Sequence, residues 1–510
     1  RLPSTHYQSS RSDMEASLLY SCLTIVFLVI AFTFFSSKKS HRPRNLPPSP
    51  PGLPVIGHLH LVKKPLHRFL QELAQKLGPV FSLRFGSHLV VVVSTSAAVE
   101  ECFTKNDVVL ANRPRFLSGK YFGYNYTDVS ASPYGDHWRN LRRIMAVELF
   151  SPRQLSSSFS IRREEIKLLL QGLHKISSAE FANIELKSKF WGLNFNIVMR
   201  ILVGKRYYGD EFDNDEKAKE FQELVRELFS ASLFSGLNDY LPILRWIDYA
   251  NFEKTMARIH GKTDRFLQGL IDEHRRDKSN NSMIDRLLSL QQLEPEFYTD
   301  ETIRAFIMIM VLAGPHTTAV AMEWTMALLV NHPEVLKKAK AEIDAHVGQE
   351  RLIDESDLSK LNYLRAVILE SFRLYPSVPL LLPHMSSESC TIRGFNVPPS
   401  TIVFVNTWAV HRDPKIWNDP NNFRPERFEG GAVEVHKLLP FGMGRRACPG
   451  VGLAQRIMGL SLGSLIQCFE WKRVGEELVD LAGEEGITVP KVVPLEVKCK
   501  AQNIMDNIVN

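Results

Sequence analysis

The chain has 510 residues, of which 44% are hydrophobic and 23% charged, and its net charge is +6, from 62 Lys+Arg against 56 Asp+Glu. That length and composition exclude a disulfide mini-scaffold, a collagen-like repeat and a disordered chain. So small and dispersed a basic excess gives no nucleic-acid footprint.

Six scattered cysteines, Cys22, Cys102, Cys390, Cys448, Cys468 and Cys499, form no CxxC pair and no zinc spacing, so free thiols in a reducing compartment are expected. The first methionine is Met14, and residues 1–13 read as leader sequence outside the natural protein. Residues 16–37 carry no charge, and at about 1.5 Å per residue they cover a hydrocarbon core of roughly 30 Å as one transmembrane helix. The basic run Lys38-Lys39-Ser40-His41-Arg42-Pro43-Arg44 follows the apolar segment, which places the remaining chain in the cytosol. A signal peptide would carry its positive charge in front. Residues 38–57 form a basic, Pro-rich hinge, in which the run from Leu46 to Pro54 is a stiff, extended strut.

No repeat or linker interrupts residues 58–510, which read as one domain. A β-hairpin is expected at 80–85 and 88–93 across Gly86-Ser87. Spaced apolar positions with charged faces predict helices over 94–104, 138–150, 162–176, 215–230, 252–277, 333–347 and 357–375, with a further helix at 451–469. Short strands are expected at 402–405, 487–489 and 495–499. The class is therefore mainly α with small β-sheets. One helix of a different kind starts at Asp300-Glu301 and stops at Asn331-His332-Pro333, with no formal charge over 305–322. A second membrane span is the rival reading. The mid-span Gly314-Pro315-His316-Thr317-Thr318 and the nearby Glu323 favour a helix buried in a protein core.

The most informative stretch is Phe441-Gly442-Met443-Gly444-Arg445-Arg446-Ala447-Cys448-Pro449-Gly450. A lone cysteine is ordinarily a small buried hydrophobe. Here it follows a Gly-rich turn that leaves room for a flat ligand, with Arg446 able to pair with an anion. The helix that follows has an N-terminus that favours a thiolate. Glu370 and Arg373 are i and i+3 on one helix face, where a buried pair would leave guanidinium donors for further partners.

Phe441, Gly444, Arg446, Cys448 and Gly450 match the pattern Phe-x-x-Gly-x-Arg-x-Cys-x-Gly. With Glu370-Ser371-Phe372-Arg373, Pro425-Glu426-Arg427-Phe428 and Trp138-Arg139-Asn140-Leu141-Arg142, the chain resembles the cytochrome P-450 haem-thiolate enzymes over nearly its whole length. The resemblance implies that fold behind one membrane helix, and haem b ligated by Cys448. Trp138, Arg142, His384 and Arg446 would serve the propionates, and Glu370, Arg373 and Arg427 would form a structural network on the proximal side. Thiolate ligation favours O–O cleavage. The family's proton-delivery motif, Ala/Gly-Gly-x-Asp/Glu-Thr, reads Ala313-Gly314-Pro315-His316-Thr317 here. Thr317 is kept, while His316 replaces the acid, either as a proton shuttle or as a neutral core residue. Pro315 removes a backbone donor and should sharpen the kink. That departure makes ring closure or phenol coupling a rival to ordinary hydroxylation.

Tyr124-Asn125-Tyr126-Thr127, the run from Pro133 to Arg143, and Leu453-Ala454-Gln455-Arg456 resemble the plant microsomal family that includes isoflavone 2'- and 3'-hydroxylases. Its relatives also hydroxylate indolic compounds, close methylenedioxy bridges in lignans and cyclise benzophenones to xanthones. By the same resemblance Phe116, Tyr121, Phe122, Phe306, Met310, Ala313, Ser377, Leu380, Leu381 and Ile487 line the substrate pocket. The function this implies is NADPH- and O2-dependent hydroxylation of a small aromatic or phenolic plant metabolite of flavonoid, isoflavonoid or benzophenone class. The alternative is oxidative phenol coupling or ring closure without net oxygen insertion. No flavin or nicotinamide motif is present, so electrons would come from a separate NADPH–cytochrome reductase. The expected setting is a monomer in the endoplasmic reticulum membrane with its catalytic domain in the cytosol and no nucleic-acid partner.

Overall fold

The computed structural model describes residues 16–29, 45–212, 215–232, 236–277, 282–430 and 433–509. An apolar helix, Ala16–Val29, lies exposed along its length. The rest of the expected anchor, the basic flank at 38–44 and residues 1–13 fall outside the described residues. The Pro-rich strut does not stand free. Ser82 donates its amide to the Pro48 carbonyl at 2.8 Å and its hydroxyl to Pro47 at 2.9 Å, which lays the strut along the first strand.

Among the described residues nine strands form three sheets, the largest ordered β1 (Val80–Phe85), β2 (His88–Val93), β7 (Ile402–Val405) and β4 (His384–Met385). The expected hairpin pairs Val80 with Val93 and Phe85 with His88, and β7 joins β2 in parallel. Val90 and Val92 pack with Phe81 and Phe404 on one face, while Val91 and Val93 pack with Val99 and Val403 on the other. Burial on both faces explains why β2 reads as an unbroken apolar run. β3 (Ala182–Glu185), β9 (Glu496–Ala501) and β8 (Phe469–Arg473) form the second sheet, and β5 (Cys390–Ile392) pairs with β6 (Phe395–Val397).

Helices dominate the remainder. The spans Ser96–Phe103, Phe159–Ser177, Glu216–Ser232, Phe252–Arg276, Pro333–His346 and Val451–Cys468 follow the apolar periodicity closely. The expected 138–150 helix is instead Asp136–Ile144 running into a wider π turn, Met145–Leu149. The expected 357–375 helix breaks at Leu361 (φ −94°, ψ 70°), and the true helix is Asn362–Leu374. Its first amides, Tyr363 and Leu364, donate to the Glu342 carboxylate at 2.7 and 2.9 Å, a cap supplied by a distant segment. Residues 487–489 are not a strand, for their bonds go to helices and loops.

The Asp300–Asn331 helix is the axis of the main core. Thr299 caps it by accepting from the Thr302 amide. Its most apolar window is 67% buried, as a core helix requires and a lipid-facing span does not. It packs most extensively against Leu186–Val203, a helix apolar on nearly every side whose missing polar stripe hid it from periodicity. Helical conformation runs unbroken through Pro315. A proline costs one rung of the ladder. Here the surrounding turns are tied by Thr317 and Thr318 hydroxyls donating to the carbonyls of Ala313 (2.9 Å) and Gly314 (3.3 Å).

Candidate functional site

A cavity of about 280 Å³ lies between the core helix and the loop 440–450. Gly442 (φ +70°) and Gly444 (φ +74°) take left-handed conformations that other residues resist. A side chain on Gly444 would collide with the Asp107 carboxylate, which accepts the Arg445 amide at 3.0 Å. The Cys448 amide donates back to Phe441 at 2.8 Å, closing the loop and turning the thiol into the cavity. Cys448 is exposed and lines the cavity. Burial raises its pKa, while a hydrogen bond from Gly450 and the charge of Arg142 pull it back down. Gly450 then caps the Val451–Cys468 helix.

Cations gather at the cavity wall. Arg446 spends its three nitrogens on the carbonyls of Ala111 (2.6 Å), Val129 (2.9 Å) and Ser132 (2.5 Å), and its guanidinium lies 4.5 Å from the Trp138 ring. Trp138 donates its own N–H to Val129 at 3.0 Å. His384 donates Nδ1–H to Leu110 at 2.8 Å, so its free nitrogen is Nε2. Burial, then Arg113 and Arg446, hold its pKa well below the usual value. Arg142 lines the cavity with no side-chain hydrogen bond or ion pair among the described residues. Sequence reasoning missed Arg113, a fourth cationic or imidazole group here. It donates to Leu382 and Pro383, both at 2.8 Å, and burial lowers its pKa to about 9. Its only signal was an arginine between Asn112 and Pro114, just after the buried pair Leu110-Ala111.

These residues fit a haem. Arg113 and Arg446 face one buried carboxylate, Asp128, while Arg142 faces the Cys448 thiol, so the cluster has positive charge to spare for two propionates. A thiol faces the same space from the loop, and the core helix forms the opposite wall. The cavity lining is otherwise largely apolar, as a flat macrocycle and an aromatic ligand require.

Behind the loop, Glu370 and Arg373 are 0% exposed and paired in a fork, at 2.7 and 2.8 Å. Arg427 reaches the same carboxylate at 3.2 Å. Arg373 also donates to the carbonyls of His411 (2.7 Å) and Pro420 (2.6 Å), as its five donors allow. His411, not anticipated, accepts the Leu439 amide at 2.8 Å and so links this network to the cysteine loop.

Of the expected pocket residues, Met310, Ala313, Ser377 and Leu381 line the cavity, with Thr317 beside them. The others lie elsewhere. Phe116 packs on Tyr240, 5.7 Å between centroids, and Leu380 joins the same sheet-side cluster. Tyr121 donates to Glu253 at 3.0 Å, while Phe122 and Phe306 are consumed by the main core. Ile487 is not among the lining residues, whereas Ile309 and Val198, which were not anticipated, are. His316 faces away from the cavity. Its Nε2 meets the Thr488 hydroxyl at 3.0 Å, and its ring packs on Trp191 and Phe229. That direction is opposite to the one a shuttle into the cavity needs.

The sequence profile described as Cytochrome P450 matches residues 47–493. "Cytochrome P450 81Q32" of Catharanthus roseus is 54% identical over 98% of this chain and 99% of its own length. "(+)-Piperitol/(+)-sesamin synthase CYP81Q2" of Sesamum radiatum is 53% identical over 97% and 99%. The isoflavone 2'-hydroxylase of Glycyrrhiza echinata is 50% identical over 95% and 98%. A zebrafish cytochrome P450 solved with progesterone superposes with a TM-score of 0.75 at 25% identity, covering 86% of this chain and all of that one.

Proposed function

Because this chain belongs to the cytochrome P450 family, in its plant CYP81 group, we propose that it oxidises a small, lightly hydroxylated aromatic metabolite of flavonoid or isoflavonoid class. It is a haem-thiolate monooxygenase and works with a reductase. The observation that carries the reading is the pairing across one cavity of the Cys448 thiol and the Thr317 hydroxyl. Bound there, haem supplies activation of O2 by iron, with electrons that we assign to NADPH through a membrane reductase.

The protein's own part follows from its side chains. Cys448 would hold the iron as thiolate. Arg142, with Arg113 and Arg446, would hold the propionates, for which guanidinium forks are well shaped. The Thr317 hydroxyl rests on the Ala313 carbonyl at 2.9 Å and can turn its proton into the cavity. Met310, Val198 and Leu381 exclude water and press on the faces of a planar substrate.

Ring closure without net oxygen insertion is the second reading. It is favoured by the 53% identity to a sesamin synthase and by a His316 that turns away from the cavity. Microsomes holding this protein and a plant reductase should be given isoflavone, flavonoid and lignan substrates under 18-O2. Label in the product is the expected result. An unlabelled, cyclised product with O2 consumed favours the second reading, and turnover without O2 or reductase would overturn both.

We place the protein on the endoplasmic reticulum membrane with the globule in the cytosol. Beyond the Ala16–Val29 helix, Leu237, Ile243, Trp246, Ile247 and Tyr249 are exposed, Trp246 by 84%. They adjoin the Gly86-Ser87 turn, where Ser87 donates to Tyr240 and Gly86 to Ile56, beside the exposed Leu53 and Val55 at the end of the strut. Contiguous apolar exposure of this kind suits a lipid surface. Deleting residues 16–44 should leave a haem-binding globule that still sediments partly with vesicles, and adding Ile243→Asp and Trp246→Asp should weaken that binding about tenfold. Protease protection of the globule inside sealed microsomes would overturn the orientation.

A further inference from the structure

The loop 484–490 is absent from the cavity lining, yet besides the Lys64–Glu485 ion pair at 2.8 Å it is fastened at four points. It closes on itself through the Glu484 amide, which donates to Pro490 at 2.7 Å. Lys187 reaches the Glu484 carboxylate at 3.2 Å. Trp324 donates its ring N–H to the Val489 carbonyl at 2.8 Å. The Val489 amide donates to the Ser377 carbonyl at 3.0 Å. The fourth point is the 3.0 Å contact between the His316 Nε2 and the Thr488 hydroxyl.

Ser377 and Thr317 connect this loop to the cavity. The Ser377 hydroxyl donates to the Thr317 carbonyl at 3.0 Å, and both residues line the cavity wall. His316 and Trp324 are eight residues apart on the core helix, roughly 12 Å along its axis. The loop therefore spans two turns of that helix, and one of its two attachments lies directly beside Thr317. The helix lacks a rung at this point because Pro315 has no N–H. A fastening from outside is what would hold the weakened turn still.

We propose that His316 is a positioning residue that acts through Thr488: it fastens the loop 484–490 to the core helix, holds Thr317 and Ser377 in register in the cavity wall, and so sets which position of the substrate is oxidised. The selectivity part rests on the monooxygenase reading above, whereas the fastening is measurable without turnover. The surroundings suit an uncharged ring. Trp191 meets the ring edge-on and Phe229 at a tilt, with centroids 5.8 and 5.4 Å away. Burial, helped by the charge of Lys187, lowers its pKa to about 4. A neutral imidazole can donate to or accept from a hydroxyl, which is all the contact with Thr488 asks of it.

The test compares Thr488→Val, His316→Ala, the double variant and His316→Gln in the full-length, haem-loaded protein. The direct reporter is hydrogen exchange of the Val489 amide, read beside the ratio of products from a substrate oxidised at more than one position. Thr488→Val and His316→Ala should each speed that exchange about tenfold and shift the product ratio at least threefold, as loss of one partly buried hydrogen bond allows. The double variant should do no more than either single change. His316→Gln places an amide near the Nε2 position and should restore both readouts. Unchanged exchange in Thr488→Val and His316→Ala overturns the fastening, and if His316→Ala alone then slows turnover, the ring is a proton relay. Faster exchange with an unchanged product ratio overturns the selectivity claim. Should no substrate be oxidised even by the native protein, the exchange result still decides the fastening while the functional reading falls.

Discussion

Cys448→Ala is expected to abolish the long-wavelength CO band of the reduced protein together with all oxidation of substrate. Cys448 is the only cysteine among the described residues that lines the cavity, and the loop that carries it is closed by its own backbone, through the Cys448 amide on Phe441 and the Ala447 amide on Gly444 at 3.1 Å. Removing sulfur therefore leaves the fold of the loop intact. The side chain opens onto the cavity and supports no apolar packing, so the unfolding free energy of the apoprotein should change by less than about 1 kcal/mol. Haem that still associates would rest only on its propionate contacts and apolar burial. Its spectrum should lose the signature of thiolate, because among the described residues no other cysteine lines the cavity. A thiolate-type band persisting in Cys448→Ala would refute the assignment. Cys448→Ser serves as a second variant of nearly native shape.

The second large effect is expected at a residue that touches no ligand. Glu370 accepts from Arg373 twice, from Arg427, and from the Arg424 amide at 2.9 Å, with no exposure to water. Glu370→Ala would strand a buried guanidinium, at a cost of about 3–5 kcal/mol. That is a large share of the roughly 5–15 kcal/mol by which native proteins are stable. Because Arg373 holds the His411 carbonyl and His411 holds the Leu439 amide, the damage should reach the cysteine loop. The expected result is little folded haem protein and a much lower denaturation midpoint. Glu370→Gln keeps the shape but not the charge and should lose about 1.5–3 kcal/mol, the range for hydrogen bonds to ions. A native midpoint for Glu370→Ala would show the pair to be dispensable.

Both residues were legible without coordinates because their chemistry is local in the chain. The turn before Cys448 needs glycines at two left-handed positions, and a four-residue separation joins Gly444 to Cys448. Glu370 and Arg373 stand one helical turn apart, which any helix places on one face. The core helix was equally legible, since an uncharged run with a polar cluster in its middle has few places to go but the interior. The hairpin at 80–93 and most helix spans belong to the same class.

What escaped the sequence was set by contacts between distant segments. The carbonyls that occupy Arg446 belong to Ala111, Val129 and Ser132, more than 300 residues away in the chain. Arg113 is a cavity residue only because the strand carrying His384 folds beside it. Phe306, Tyr121 and Phe116 are aromatic in the right neighbourhood, yet packing turned them into the core or onto Glu253 and Tyr240.

By itself, then, the chain determined the ligand cysteine, its supporting ion pair, the core helix and the mainly helical class. These follow from backbone conformation and helical spacing, which act over a few residues. Tertiary structure alone decided which guanidinium is left free for an anion, which apolar residues wall the cavity, and that His316 points to Thr488 and not to Thr317's side of the helix. Neighbouring positions on a helix lie about 100° apart, so adjacent residues can serve opposite surfaces. Which surface faces the cavity is settled only when the other helices and loops pack against it.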